Sequence, residues 1–335
     1  IKGRDDMEKA RSRIIYILVI AIVVALVAFF LYQGRQDGNL QIGIIQIVEH
    51  PALDGARQGF VDLLKENGYL EGENVTYDVQ IAQGDMSTAN TIAQKFNSQK
   101  LDLVLAIATP TAQAAANVIK ETPILITAVT DPVDAGLVES AEKPDTNVTG
   151  TSDIQPIDKQ FELIRKFVPE AKNIGVVYNA GEANSVLQVE MAKEIADQLG
   201  MRLIEASADT SSNVLQAAQS LVGRVDAIYV PTDNTVVSAI ESVIIVAEDN
   251  DIPLIAGEEG CVRSGSLATV GIDYYELGRQ TGRMALKIIK GEAQAESMPI
   301  ETQEDTRLII NAKAAEAMGV EIPAELRENA FEIIE

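Results

Sequence analysis

The sequence predicts an α/β protein with two similar lobes, each a parallel sheet flanked by helices, preceded by an N-terminal transmembrane helix. Three observations support this prediction. Short runs rich in β-branched residues alternate with longer amphipathic stretches, the two halves of the chain repeat this order, and an uncharged apolar run precedes both halves. Alternating strands and helices are typical of right-handed βαβ units, whose strands are parallel.

The apolar run comprises residues 14–32. A helix of that length spans about 28 Å, close to the hydrocarbon thickness of a bilayer. Lys9, Arg11 and Arg13 precede the run, which predicts a cytoplasmic N-terminus and an extracytoplasmic remainder. Residues 1–38 are therefore predicted to be a cytoplasmic stub and single-pass membrane anchor. A cleaved secretory signal, which would leave the protein in a periplasm, is the alternative, but no small-x-small cleavage pattern follows the run.

Strands and helices are predicted to alternate after this segment. The predicted strands are 40–48, 75–81, 101–107 and 124–129, then 173–178, 202–205, 227–230, 253–256 and 267–272. The predicted helices are 53–67, 87–98, 110–119, 182–199, 213–221 and 235–249.

The two halves also resemble each other in sequence. Residues 42–45 (Ile-Gly-Ile-Ile) correspond to residues 174–177 (Ile-Gly-Val-Val), and in each half a glycine ends the next predicted helix, at Gly68 and Gly200. Several such matches in the same order predict paired lobes with a cleft between them.

Composition excludes several functions. The chain has 27 basic and 50 acidic residues, a net charge of −23, so it repels phosphate backbones and no nucleic-acid binding is expected. A single cysteine and a single histidine exclude an intramolecular disulfide, a thiolate metal cluster and a multi-histidine zinc site. The sequence contains no Walker loop, GxSxG elbow or dinucleotide fingerprint. We therefore expect a binding protein, not an enzyme, with no cofactor and no metal.

Polar residues collect after the predicted strands, where open parallel sheets bind their ligands. The set contains neither lysine nor arginine, which suits a ligand that carries an ammonium group, and Glu182, Asp233 and Asp273 are the predicted ammonium partners. Any one of these residues could instead cap a helix. The candidate ligand-binding residues are Glu49, His50, Thr109, Thr111, Thr130, Asp131, Asn179, Glu182, Asn184, Ser185, Thr232, Asp233, Asn234, Glu258 and Asp273.

Residues 109–111 (Thr-Pro-Thr) predict a binding site for a carboxylate. A threonine cap followed by proline at the first helical position would leave the amides of Thr111 and Ala112 unpaired. These amides and the Thr111 hydroxyl could hold a carboxylate without a cationic side chain. Residues 179–185 offer similar chemistry in the second half. A carboxylate site together with an ammonium site describes an amino acid.

Six segments of the sequence are similar to a known family. They are 49–54, 108–114, 129–133, 178–179 with 182–185, 230–235 and 271–278. Together they resemble the solute-binding proteins of ABC transporters, in the subfamily associated with tryptophan and other aromatic amino acids. The resemblance covers residues 40 to about 330 and implies a type I periplasmic-binding-protein fold, with two lobes joined by three crossovers.

The resemblance also implies how the chain is divided and what it does. Residues 39–150 with 273–298 would form the N-terminal lobe, and residues 151–272 with 299–335 the C-terminal lobe. A monomer attached to the membrane through residues 14–32 would bind an aromatic amino acid by hinge closure and deliver it to a permease and its ATPase. The alternatives are a membrane-tethered ligand sensor, a binding protein for another small polar solute, a transcriptional regulator and a glycosidase. The regulator is disfavoured because a membrane segment replaces the basic helix-turn-helix.

Overall fold

The computed structural model describes residues 39–335. The predicted stub and membrane segment, residues 1–38, lie outside the described residues. Within residues 39–335, no helix combines the length and the apolar composition that crossing a bilayer requires.

Six strands form the first sheet. They are β1 (Leu40–Gln46), β2 (Val75–Ile81), β3 (Leu103–Ile107), β4 (Ile124–Val129), β5 (Val148–Ser152) and β11 (Glu301–Thr302). Their order is β11-β5-β4-β3-β1-β2, and every neighbouring pair is parallel.

Seven strands form the second sheet. They are β6 (Asn173–Tyr178), β7 (Arg202–Ser207), β8 (Ala227–Val230), β9 (Leu254–Ala256), β10 (Ala268–Gly271), β12 (Arg307–Asn311) and β13 (Glu332–Ile334). Their order is β13-β12-β10-β9-β8-β6-β7. The prediction of parallel strands holds for every pair in this sheet except β10 and β12, which are antiparallel.

Helices cover both sheets, and each sheet has its own hydrophobic core. Beside the first sheet lie α1 (Pro51–Glu66), α2 (Met86–Ser98), α3 (Thr109–Val118) and α10 (Tyr274–Ile289). Beside the second lie α4 (Ile157–Phe167), α5 (Ala183–Gln198), α6 (Val214–Gln219), α7 (Asn234–Val237), α8 (Ile240–Asp249), α9 (Glu259–Ser264), α11 (Ala312–Ala317) and α12 (Ala324–Asn329). The predicted helix 235–249 is interrupted at Ala239, where the backbone leaves the helical region (φ −124°, ψ 26°). We call each sheet with its helices the first lobe and the second lobe.

The chain passes between the lobes at three crossovers, residues 153–156, 272–273 and 303–306. The second and third crossovers are bonded to each other. The Asp273 amide donates to Gln303 Oε1 (3.2 Å), Gln303 Nε2 donates to the Asp273 carbonyl (3.0 Å), and Arg307 forms an ion pair with the Asp273 carboxylate (2.6 Å). Residues 151–152 of β5 and 301–302 of β11 belong to the first sheet, although the predicted boundaries at 150 and 298 assigned them to the C-terminal lobe. The division of the chain into two lobes at 150, 272 and 298 stays a prediction.

Helix α10 packs closely on α1 because both helices have a glycine at the contact. A β-carbon on Gly278 would overlap the carbonyl oxygen of Ala56, and one on Gly59 would overlap the carbonyl oxygen of Tyr275. Helix α10 follows the second crossover, so this contact fixes the end of that crossover to the first lobe.

Replacing Gly278 with alanine is therefore expected to lower the free energy of unfolding by about 1–3 kcal/mol, because the two helix backbones must separate. Gly55→Ala on α1 is the matched control, since a β-carbon there has its nearest neighbour at 3.7 Å. That variant is expected to be neutral or stabilising by up to about 1 kcal/mol through helix propensity. Urea unfolding of both variants measures the difference, and equal effects would contradict close packing at Gly278.

Candidate ligand-binding site

The carboxyl ends of strands from both sheets meet at a cleft between the lobes. A small cavity of about 10 Å³, room for roughly one water molecule, lies within it. The cavity is lined from the first lobe by His50, Leu53, Ala128, Thr130 and Tyr274, from the second by Asn184, Thr232, Asn234, Val237 and Glu258, and from the first crossover by Asp153.

A larger groove of about 570 Å³ adjoins the cavity, and Asn234 lines both. The groove has apolar and acidic walls from both lobes. Its apolar side chains include Ile47, Val48, Met86 and Pro110, and its acidic ones are Asp85, Glu182 and Asp209. Within residues 39–335, neither lysine nor arginine lines the cavity or the groove. The electrostatics of the cleft therefore suit a cationic group, as the sequence predicted.

His50 enters the cavity from the first lobe. It follows β1 at the N-cap position of α1, with extended backbone (φ −159°), and Pro51 begins the helix. The Nδ1 atom of its ring is buried without a hydrogen-bond partner. Burial lowers the pKa of His50, although Glu258 and Asp54 oppose this effect, so the imidazole is neutral at pH 7.

Asp153 enters the cavity from the first crossover. Its carboxylate Oδ2 accepts a hydrogen bond from the Tyr274 hydroxyl at 2.6 Å, whereas Oδ1 is buried without a partner. Burial raises the pKa of Asp153, and the hydrogen bond from Tyr274 counteracts this rise. The sequence did not predict Asp153 as a site residue, because β5 was not recognised as a strand. The rule that ligands bind after strand ends would have selected Asp153 as the residue that follows β5.

Asn184 and Glu258 enter from the second lobe. Asn184 Nδ2 donates to the Thr232 carbonyl at 3.0 Å, and Asn184 Oδ1 is buried without a partner. Glu258 caps α9, because its carboxylate accepts from the amides of Gly260 (2.9 Å) and Cys261 (3.1 Å). Three residues of the cavity lining therefore each have a buried polar atom with no hydrogen-bond partner among residues 39–335, and they come from the first lobe, a crossover and the second lobe.

The three carboxylates that the sequence predicted as ammonium partners bond to the protein itself. Asp233 is fully buried, caps α7 and accepts from the amides of Asn179 and Val236. Burial and the neighbouring Glu182 raise the pKa of Asp233 to about 7.

The other two carboxylates are engaged in the same way. Glu182 accepts from the amide and side chain of both Asn234 and Thr235. Asp273 caps α10 through the Glu276 amide (3.1 Å) and pairs with Arg307. Of the three, only Glu182 borders the cleft, as a wall of the groove.

The predicted carboxylate site at residues 109–111 has a different geometry. Helix α3 begins at Thr109 and its N-cap position is Ala108, so the prediction that Thr109 caps the helix is wrong. The Thr111 hydroxyl donates to the Ile107 carbonyl, and the Ala112 amide donates to the Ala108 carbonyl at 3.1 Å. These groups are satisfied within the first lobe. The Thr109 hydroxyl is buried without a partner, and neighbouring Pro110 lines the groove.

The remaining candidates divide into those at the cleft and those beside it. Thr130, Thr232 and Asn234 line the cavity, and Asn179 lines the groove. Ser185 is fully buried and bonds to Asp233. Glu49 is exposed, and Asp131 closes a turn by accepting from the amides of Val133 and Asp134. Their role in ligand binding stays a prediction.

Gln188, which the sequence did not predict, contacts two residues of the cavity lining, Thr130 and Thr232. It is fully buried on α5, and its Oε1 accepts from the Thr232 amide (3.1 Å) and hydroxyl (2.9 Å). Its Nε2 lies 3.5 Å from the Thr130 hydroxyl in the first lobe. Gln188 therefore connects polar groups of the two lobes. It lies a full turn inside a predicted helix, so no strand-end pattern could identify it.

Two lobes that meet over a polar cleft at the ends of parallel strands define a two-lobed solute-binding protein. The chain belongs to the family of ABC transporter substrate binding proteins, whose family model matches residues 41–334. This is a family of ligand binders, which agrees with the expectation that the chain is not an enzyme.

Individual relatives are similar over most of their length. A tyrosine-binding protein of Clostridioides difficile strain R20291 is 49% identical over 280 residues, 84% of this chain and 81% of the relative. The structure of an ABC domain from Streptococcus pneumoniae in complex with L-Trp has a TM-score of 0.85 at 35% identity, covering 89% of this chain and 100% of that chain. The ligand-free, open structure of a substrate-binding protein with adhesive properties from Clostridium difficile has a TM-score of 0.67 at 50% identity, covering 88% and 99%.

Asp233→Ala is expected to lower the free energy of unfolding in the absence of ligand by about 1–2 kcal/mol, because it removes an N-cap. Asp209→Ala is the control, since Asp209 is exposed and accepts only from the Asn213 side chain in the same turn. Its effect should stay within about 0.5 kcal/mol. Thermal unfolding of both variants measures this, and an Asp233→Ala variant with unchanged stability would contradict the structural role.

Proposed function

We propose that this chain is the extracytoplasmic binding component of an ABC importer and that its ligand is an amino acid with an aromatic side chain. One observation carries the proposal. His50 Nδ1, Asp153 Oδ1 and Asn184 Oδ1 are buried and have no hydrogen-bond partner within residues 39–335, and their three residues line one cavity between the lobes. Buried polar atoms normally have hydrogen-bond partners, so a polar ligand at this position would satisfy all three.

The ammonium group would bind at Asp153. Asp153 Oδ1 and Asn184 Oδ1 can only accept hydrogen bonds in this arrangement, which an ammonium group can donate. Glu258 adds a second acidic side chain to the cavity wall. A cation held by a buried carboxylate makes the charge-assisted type of hydrogen bond, which is about twice as strong as a neutral one.

The carboxylate and the side chain would extend from this point. The His50 ring lines the same cavity, and its Nδ1 atom can form a hydrogen bond with a polar group of the ligand. The groove next to the cavity offers Ile47, Val48, Met86 and Pro110 for an aromatic ring. Two relatives support this ligand class, since one is a tyrosine-binding protein and another has a crystal structure in complex with L-Trp.

Ligand entry would require the lobes to separate, because the cavity holds no more than about one water molecule. A ligand that touches both lobes then shifts the population toward the closed arrangement. The comparisons support such a motion. The chain is more similar in structure to the L-Trp complex (TM-score 0.85, 35% identity) than to the open, ligand-free protein (0.67, 50% identity), although its sequence is closer to the latter. Delivery to a permease and its ATPase, attachment through residues 14–32 and a monomeric state are parts of the same proposal.

A thermal-shift screen of the purified protein against the amino acids tests the ligand class, with sugars and nucleosides as controls. L-tyrosine or L-tryptophan at 100 times its dissociation constant is expected to stabilise the fold by about 2.7 kcal/mol. Stabilisation by a sugar or nucleoside, with no response to any amino acid, would contradict the proposal. Turnover of the bound compound would favour the enzyme alternative.

Asp153→Asn is expected to weaken binding of the amino acid by about 2–5 kcal/mol, the typical effect of truncating one partner of a buried charge pair. Asp158→Asn is the control, because Asp158 is an exposed aspartate just beyond the same crossover. Isothermal titration calorimetry measures both affinities. Equal affinities in the two variants would contradict an ammonium site at Asp153.

The affinity of the wild-type protein should also depend on pH. The pKa of Asp153 is raised by burial, and only its ionised form pairs with an ammonium group. Affinity is therefore expected to be full above the raised pKa and to fall as the pH is lowered through it. Asp153→Asn should remove this acid limb, and calorimetry over a pH series with L-tyrosine checks it.

A further inference from the structure

Two of the three crossovers are joined at the cavity. Asp153 and Gln155 belong to the first crossover, and Tyr274 directly follows the second. The Tyr274 hydroxyl is 2.6 Å from Asp153 Oδ2 and 3.3 Å from Gln155 Nε2. The same nitrogen of Gln155 lies 3.0 Å from the carbonyl oxygen of Asp153. All three side chains are buried.

The direction of each hydrogen bond in this group follows from chemistry. A backbone carbonyl only accepts, so the Gln155 atom that contacts the Asp153 carbonyl must be the amide nitrogen. That nitrogen only donates, so the Tyr274 oxygen accepts from it and gives its own proton to Asp153 Oδ2. One carboxylate oxygen is thereby occupied, and Oδ1 is left to line the cavity.

Tyr274 also connects Asp153 to the first lobe. Its ring belongs to the hydrophobic core of that lobe, and it is the first residue of α10, which packs on α1 through Gly278 and Gly59. Asp153, in contrast, begins the segment that leads into the second lobe. The Tyr274 hydroxyl therefore ties the Asp153 carboxylate to α10 of the first lobe, at the point where the chain leaves for the second lobe.

Four groups set the electrostatics around Asp153. Glu258 from the second lobe makes ionisation of Asp153 less favourable, and the hydroxyls of Tyr274 and Thr130 make it more favourable. His50 lines the same cavity as a neutral ring. Of these groups, Tyr274 has the short hydrogen bond to the Asp153 carboxylate, and it is also the first residue of α10.

We propose that Tyr274 is a positioning residue that orients the Asp153 carboxylate toward the ammonium group of the ligand and joins that carboxylate to the hinge. The inference rests on the proposed function, because it concerns the same cavity. Tyr274 need not touch the ligand; it acts through Asp153. Its removal should therefore change both the affinity and the pH at which Asp153 loses its charge.

Tyr274→Phe keeps the ring in the core and removes only the hydroxyl. At pH 7.5 it is expected to weaken L-tyrosine binding roughly tenfold to a hundredfold, the effect of losing a hydrogen bond to a charged group. The acid limb of its affinity–pH profile is expected to move to higher pH, because Asp153 loses a donor to its ionised form. In an Asp153→Asn background the same change should leave the pH profile flat. Calorimetry with L-tyrosine over a pH series measures all of these.

Tyr275→Phe is the matched control, since Tyr275 is exposed and its hydroxyl donates to Asp62 at 3.1 Å, on the outer surface of α1. It should bind L-tyrosine as the wild type does. Gln155→Leu leaves Tyr274 in place but removes the side-chain amide that donates to the Tyr274 hydroxyl. It should therefore move the acid limb to higher pH, by a smaller amount than Tyr274→Phe does. This variant decides the question if Tyr274→Phe does not fold.

The outcomes separate this inference from the proposed function. If the wild type binds L-tyrosine but Tyr274→Phe, or Gln155→Leu in its stead, keeps the wild-type pH profile, the positioning role is overturned and the proposed function stands. A Tyr274→Phe variant with lower thermal stability and an unchanged profile also overturns the positioning role, since a structural role alone explains it. If the wild type binds neither L-tyrosine nor L-tryptophan, the proposed function is overturned together with the inference.

Discussion

The carboxyl ends of parallel strands in two separate sheets face one another, and the candidate site depends on this constraint. His50 follows β1, Thr130 follows β4, Asp153 follows β5 and Thr232 follows β8. Polar groups are concentrated at the cleft because the residues that directly follow a buried parallel strand lie at the edge of the sheet that faces the cleft. Neither lobe alone encloses the cavity, so its three unpartnered atoms converge only when the lobes are together.

Much of the fold could be predicted because its signals are local. The strands 75–81, 124–129, 173–178 and 227–230 agree with the structure residue for residue. The repeat has a packing cause as well, since Gly43 and Gly175 each leave room for a leucine side chain, Leu101 and Leu221 respectively, to pack against the strand. Strand β5 was missed because its sequence, Val-Thr-Gly-Thr-Ser, lacks the apolar run of a buried strand. The sequence did not indicate that β12 pairs antiparallel with β10, because the two strands are far apart in the chain and local patterns do not report the direction of such a pair.

The site was harder to predict than the fold, for a physical reason. Asp153, Asp233 and Asp273 all follow strands, and their local sequences do not reveal which carboxylates accept protein hydrogen bonds. Asp233 and Asp273 cap helices that start directly after them, whereas residues 154–156 separate Asp153 from α4. Only the three-dimensional arrangement leaves Asp153 Oδ1 without a partner. The sequence did show, by contrast, that the residues after the strands include neither lysine nor arginine. The cavity and groove linings within residues 39–335 also contain neither.

The bonds among the crossovers have a mechanical consequence. Tyr274 joins the first crossover to the second through Asp153, while Gln303 and Arg307 join the third to the second through Asp273. Three independent linkers would let the halves twist, slide or tilt against each other. Because the crossovers are cross-linked in this way, twisting or sliding of one lobe against the other would have to break these bonds, so we expect rotation about the line of the crossovers to be the main relative motion.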